Sequence, residues 1–158
     1  MEHCATLTSH TSMVKCLQKT KIEDKQQQTK VILSADANGV VMYWRVYGTQ
    51  YDIVVHICTV DLKLPLNSLI PFEDKERDLM LLGSFKEVSL YDVEKKEILV
   101  KWNAHVGRVE ALLLCDGLLW TASNDGIGAW DISGLRSGAN TEPVSLNYTI
   151  TVILLTAF

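Results

Sequence analysis

Short apolar and β-branched runs, separated by small polar clusters, recur along the whole 158-residue chain. No segment keeps a sustained helical period. Short runs with turn signals between them predict strands throughout and an all-β architecture. The clearest unit is residues 117–132, GLLWTASNDGIGAWDI. Leu118, Leu119 and Trp120 form one apolar run, Ser123-Asn124-Asp125-Gly126 forms a turn cluster, and a second run ends in Trp130-Asp131. An Asp-Gly pair between two such runs is a strong hairpin signal, because Gly supplies the positive φ that the tight turn requires.

The pattern repeats. Residues 34–46 (SADANGVVMYWRV), 83–93 (GSFKEVSLYDV) and 123–132 each place a small polar turn before a short strand that ends in an aromatic. The aromatics are Trp44, Tyr91 and Trp130, 47 and 39 residues apart. Each unit also predicts a preceding strand: residues 108–114 in the third, residues 66–72 in the second, and the run after His10 in the first. His-x-x-x-Val occurs at His10 and Val14 and again at His105 and Val109. The second unit has no such His, and Pro65 and Pro71 confine its strand to an edge or a short piece. Fourth strands are expected over 51–60, 97–102 and within 144–155. Polar loops are expected at 23–28, 73–78 and 133–141.

These residues resemble the WD-repeat β-propeller family, whose repeats run about 40–45 residues. The third repeat carries the most specific match, with His105, the 123–126 turn and Trp130-Asp131 in order. The first has His10 and Trp44, with Asn38 where the turn aspartate is expected. The second keeps only Tyr91-Asp92. The resemblance implies an incomplete propeller of about three four-stranded antiparallel blades. Its boundaries are a terminal strand at 1–9, a first repeat at 10–60, a degenerate second at 61–103, and a third with an apolar tail at 104–158. It further implies a structural tetrad in the third repeat only. There His105 bonds Asp125, and a strand hydroxyl links His105 to the indole of Trp130. Ser123 is the first candidate for that hydroxyl and Thr121 the second. Propellers close with about four to eight blades. Three repeats therefore imply a piece of a larger propeller, a ring completed by another chain, or weak repeats elsewhere in the sequence. The apolar end, SLNYTITVILLTAF, favours the first.

Composition adds exclusions. Hydrophobic residues make up 47% of the chain and charged residues 22%, ordinary for a globular domain. The formal net charge is −4, and the Lys and Arg residues are scattered, so no basic patch points to nucleic acid. Cys4, Cys16, Cys58 and Cys115 form no Cys-x-x-Cys pair and read as reduced, mostly buried small residues. The start, MEHCATLTSH, has neither the basic region nor the apolar run of a signal peptide. Residues 148–158 fall short of the ~20 that span a membrane. A cytoplasmic, or nuclear, setting is expected.

His105, Ser123 and Asp125 match a nucleophilic triad by residue type. No nucleophile elbow surrounds Ser123, however, and the tetrad accounts for all three. His3, Cys4, His10 and Cys16 lack the close ligand pairs of zinc sites. The Asp-Gly and Asn-Gly turns lack the alternating aspartates of a calcium loop. No catalysis, cofactor or metal is expected. The expected function is a protein-interaction scaffold or adaptor whose partners are other proteins, among them further repeats completing the ring. The alternatives are a regulatory domain of a multidomain signalling enzyme (lipid phosphatase, kinase or ubiquitin ligase) and a phosphoinositide-binding propeller. The latter wants an Arg-Arg pair that the chain does not contain.

Overall fold

The computed structural model of the chain describes residues 6–24, 27–47, 53–74, 77–136 and 143–145. Twelve strands lie in them, arranged as three four-stranded antiparallel sheets. Blade 1 holds β1 (Val14–Asp24), β2 (Gln27–Asp36), β3 (Val40–Tyr47) and β4 (Ile53–Asp61), paired in chain order. Blade 2 holds β5 (Ser68–Asp74), β6 (Arg77–Gly83), β7 (Phe85–Asp92) and β8 (Glu97–Arg108). Blade 3 holds β9 (Ala111–Cys115), β10 (Leu118–Ser123), β11 (Gly126–Asp131) and β12 (Val144–Ser145). A single helical turn, α1 (Ser133–Arg136), precedes β12. The first strands are neighbours, β5 lying between β1 and β9. The three sheets do not close into a ring among the described residues.

Several boundaries differ from the sequence reading. The β1–β2 ladder runs through the expected loop at 23–28, pairing Glu23 with Gln28 and Asp24 with Gln27. Polar side chains do not end a ladder whose backbone groups still find each other. β8 continues past residue 102 to Arg108, which pairs with Phe85 beyond a bulge, so the first strand of blade 3 starts at Ala111 rather than 108. Pro71 sits in β5 at the edge of its sheet, where a missing N–H costs no ladder bond. Residues 6–9 are not in a strand, while 1–5 and 146–158 lie outside the described residues.

The middle blade organises the core. In β6, Leu79, Met80, Leu81 and Leu82 are all buried, which a strand shows only when both faces of its sheet are covered. Alternation then divides them. Met80 and Leu82, with Leu62, Leu66, Leu69 and Tyr91, meet Val31, Leu33, Ala35, Val41 and Tyr43 of blade 1. Leu79 and Leu81, with Ile70, Phe72, Val88 and Leu90, meet Leu112, Leu119, Trp130 and Ile132 of blade 3. Trp102 tilts against Trp130 across that second seam, with ring centroids 6.0 Å apart.

Backbone hydrogen bonds stitch the seams as well. Leu66 N–H donates to Ala37 O at 3.3 Å and Leu62 N–H to Gly39 O at 3.0 Å. Val109 N–H donates to Ser84 O at 2.9 Å, and the Ser68 hydroxyl to Val109 O at 2.8 Å. Gly39 adopts φ +84°, and a Cβ there would collide with the Leu64 carbonyl, so this turn admits only glycine.

Leu81→Ala opens a cavity between blades 2 and 3 and is expected to cost about 3 kcal/mol, within the roughly 2–5 of buried Leu truncations. Val106→Ala, on an exposed site, is expected to cost under about 0.5 kcal/mol. Urea unfolding of the two variants checks the contrast.

Candidate functional site

The polar side chains that could carry chemistry gather at two places, both where a blade's first strand begins. In blade 1, Asp36 ends β2 and is fully buried. Its Oδ1 accepts from the amides of Asn38 at 3.0 Å and Val40 at 3.1 Å, which shapes the turn into β3. Its Oδ2 lies 3.0 Å from His10 Nδ1, and His10 Nε2 lies 2.6 Å from Ser34 Oγ. Trp44 Nε1–H donates to that same oxygen at 2.7 Å. One assignment uses every donor once: Nδ1–H to the carboxylate, the serine O–H to Nε2, and the indole N–H to the serine oxygen. Trp44 is closed over by His56, edge-on at 5.3 Å.

The first repeat thus holds a complete four-residue chain, His10–Asp36–Ser34–Trp44, where the sequence reading placed one in the third repeat only. Asp36, not Asn38, is its carboxylate. Asn38 is two residues too late, inside the turn that Asp36 caps.

In blade 3, His105 Nδ1 lies 2.7 Å from Asp125 Oδ1 and its Nε2 2.8 Å from Thr121 Oγ1, to which Trp130 Nε1–H donates at 3.0 Å. Asp125 Oδ2 also accepts from the Val106 amide at 2.8 Å. The linking hydroxyl is therefore Thr121, not Ser123. Ser123 sits two residues further along β10, where its hydroxyl lies 3.1 Å from Asn124 Oδ1 and also bonds the Asp125 carboxylate, not the indole. Each faces a glycine across the ladder, Thr121 facing Gly128 beside Trp130 and Ser123 facing Gly126 at the turn, and only Gly128 lies against the indole. A Cβ at Gly128 would come within 2.8 Å of Thr121 Oγ1 and 2.9 Å of Trp130 Nε1, so the missing side chain makes room for that bond. The carboxylate lies two residues after the hydroxyl in blade 1 and four after it in blade 3, yet both reach the imidazole.

Blade 2 has no polar chain at this place, and the strand register shows what replaces it. Leu17, opposite Ser34, follows His10 by seven positions, and Leu112, opposite Thr121, follows His105 by seven. In blade 2 the hydroxyl position, two residues beyond the partner of Tyr91, is Leu82. Leu69 stands opposite it, and seven positions earlier is Leu62. Leu62, Leu82 and Tyr91 are all buried in the cluster shared with blade 1. An apolar contact has taken the place of the whole hydrogen-bonded chain, and Leu62-x-x-x-Leu66 keeps the spacing of the two His-x-x-x-Val motifs.

The repeat-signature aspartates shape turns. Asp92 Oδ1 accepts from the Lys95 amide at 2.9 Å, and Asp131 Oδ1 from the Ser133 amide at 2.9 Å, at the start of α1. That amide holds the Asp131 carboxyl below the ordinary carboxylate value. Burial pushes Asp36 up, but the Val40 amide, His10 and the Asn38 amide together outweigh it, and the carboxyl sits below its ordinary 3.8. At Asp125 the Val106 amide acts first, and the carboxyl is again lowered. Burial and the negative charges of Asp61 and Asp92 raise the Tyr91 hydroxyl.

As chemistry, the two chains are closed circuits. The Ser34 and Thr121 hydroxyls are buried and bonded on both sides, so neither oxygen reaches a substrate. Among the described residues no three His, Cys, Asp or Glu side chains stand together as a metal site. Of the residues weighed for zinc, His3 and Cys4 lie outside the described residues, and His10 is committed to Asp36 and Ser34. Burial pushes the Cys16 thiol up to about 11. Cys115 is exposed, an exception to the expectation of mostly buried cysteines, and the Asp116 carboxylate beside it raises its pKa.

What remains available is sheet surface. The face of blade 3 turned away from blade 2 forms an open groove of about 290 Å³ lined by Ala111, Leu113, Trp120, Ala122 and Ile127. Leu113 is 61% exposed and Ile127 65%. The face of blade 1 turned away from blade 2 exposes Met13, Val14 and Leu17.

Thr121→Val is expected to cost about 2 kcal/mol, since it leaves a buried indole N–H and an imidazole nitrogen without their partner. Ser123→Ala is expected to cost under about 0.5 kcal/mol. Equal losses in chemical denaturation would refute the assignment of the hydroxyl. The lowered Asp36 carboxyl stabilises the fold above its ordinary value, and that contribution disappears as pH falls through the folded value. The stability gap between wild type and Asp36→Asn should therefore be widest above about pH 5 and narrow steadily below about pH 4. Guanidinium titrations across that range test it.

No family model matches the chain, and no curated relative matches it. Solved structures do. The computationally designed Ika4 protein superposes with a TM-score of 0.51 at 18% identity, covering 84% of this chain and 74% of that one. The RRP9 WD40 repeats superpose at 0.55 and 14% identity, over 90% of this chain and 41% of theirs. Sqt1 from Chaetomium thermophilum superposes at 0.53 and 17% identity, over 84% of this chain and 34% of its own. This chain thus spans less than half of each of the latter two. The identities establish fold alone: the described residues form three adjoining four-stranded blades of propeller fold, all-β and unclosed, similar to those of the WD40-repeat structures.

Proposed function

We propose that the chain is a non-catalytic protein-interaction module, a scaffold or adaptor built from propeller blades. The observation that carries the reading is the outward face of blade 3. Leu113 and Ile127 stand largely in solvent on a regular sheet, around a groove whose lining is apolar. Contiguous apolar surface of this kind marks a site that another protein covers. The polar constellations support the same reading from the other side, because their hydrogen-bonding capacity is spent inside the blades. The partner's contribution is an apolar surface complementary to a sheet, with the polar turns around it setting orientation. A scaffold that works this way needs no pocket chemistry, and its affinity follows from the few large side chains at the centre of the patch.

The test is site-directed photocrosslinking from the Leu113 position, in cells, comparing the parent chain with Ile127→Glu. The expected outcome is discrete crosslinked protein adducts in the parent that fall at least about tenfold with the charge, a loss of roughly 1.4 kcal/mol or more. Adducts of equal intensity in both would refute the use of this face.

A further inference from the structure

The two outward faces carry, at equivalent positions, the residues that the chain buries in its two seams. The register of the strands makes this explicit. Aligning the blades on the clamp positions Ser34, Leu82 and Thr121 places Val41, Val88 and Ile127 at one equivalent site. It places Leu17, Leu69 and Leu112 at another. In the first seam Val41 of blade 1 and Leu69 of blade 2 share a core cluster. In the second, Val88 of blade 2 and Leu112 of blade 3 share the other. Four of these six residues are therefore spent inside, with Val41 and Val88 wholly buried. The two left over are Ile127 and Leu17, each 65% exposed, one on each outward face. The backbone stitch repeats as well. Leu66 and Val109 each donate an N–H to a turn carbonyl of the blade before, and Val14 is the third residue at that place, with its side chain exposed.

From this we infer that a second copy of the chain covers both faces. Blade 3 of each copy packs on blade 1 of the other, Ile127 against Leu17 and Leu113 beside it, to close a ring of six blades. This inference rests on the interaction reading above and names its partner. The interface is heterologous, and a heterologous interface generates a closed ring when its rotation comes full circle and an open fibre when it does not. Propellers close with about four to eight blades, so two copies with three described blades each fall inside that range and three copies fall beyond it. Closure also removes both exposed faces at once, which a single adaptor bound at one end does not.

Size-exclusion chromatography with light scattering on the full chain tests it, together with Leu17→Glu and Ile127→Glu. The expected result is twice the chain mass for the parent and the single chain mass for each variant, with the strand circular dichroism of the parent retained in both. Mixing the two variants should restore the double mass, because one of the two seams in the mixed ring carries neither charge. A parent of single mass, a parent of any mass other than double, or variants that both stay double would overturn the inference. A single-mass parent that still forms Leu113 crosslinks to another protein would overturn the second copy alone and leave the interaction reading standing. Crosslinks only between copies would support both.

Discussion

Everything in this structure depends on a sheet having two apolar faces. A strand such as β6, with Leu79 to Leu82 all buried, is stable only between two other sheets. That single requirement dictates the stacking of blades, the side-by-side packing of first strands, and the short connections that carry the chain from one blade's edge to the next blade's centre. It also makes the unit incomplete by construction. Three blades in one chain have two ends, and the ends present the same kinds of residue that the middle buries.

The clamps solve a different problem. Two β-sheets packed through Val, Leu and Ile can slide, because apolar contact is non-directional. A carboxylate, an imidazole, a hydroxyl and an indole bonded in series have one arrangement in which every donor is used. They therefore fix where the segment entering each first strand lies against the second and third strands. Blade 2 shows that this service can be replaced. There Leu62, Leu82 and Tyr91 fill the same positions by packing, in the one blade that is held from both sides. Within one chain, polar registration is kept in the two end blades and is absent in the blade that the chain itself packs on both faces.

The parts of this architecture legible in the sequence were those fixed by local chemistry. The Asp-Gly hairpin, the aromatics at the ends of third strands and the recurrent His-x-x-x-Val are all short-range patterns, and they point to the right fold class and the right number of blades. The hydroxyl was harder. Thr121 and Ser123 lie on the same face of β10, so alternation cannot separate them. Only their partners across the ladder do, Gly128 beside Trp130 for Thr121 and Gly126 at the turn for Ser123, and pairing is a property of two strands. Asp36 is masked in the sequence by the Asn-Gly turn after it, which offers Asn38 as the nearer candidate, although a turn is often capped by the residue before it. The apolar clamp of blade 2 could not be read at all, since a leucine in a strand-rich sequence has many reasons to be there.

The last strand of blade 2 carries more than its own blade. β8 runs on to Arg108, and within that extension stands His105, whose bonds are made to Asp125 and Thr121 of blade 3. One continuous strand therefore belongs to two neighbours. Fraying of blade 3 releases the end of β8, and loss of β8 withdraws the histidine from blade 3. In linear repeat proteins stability separates into contributions from each unit and from each junction. A shared strand moves weight from the first kind of contribution to the second, so blades 2 and 3 should melt as one cooperative unit, with the junction between them setting the midpoint.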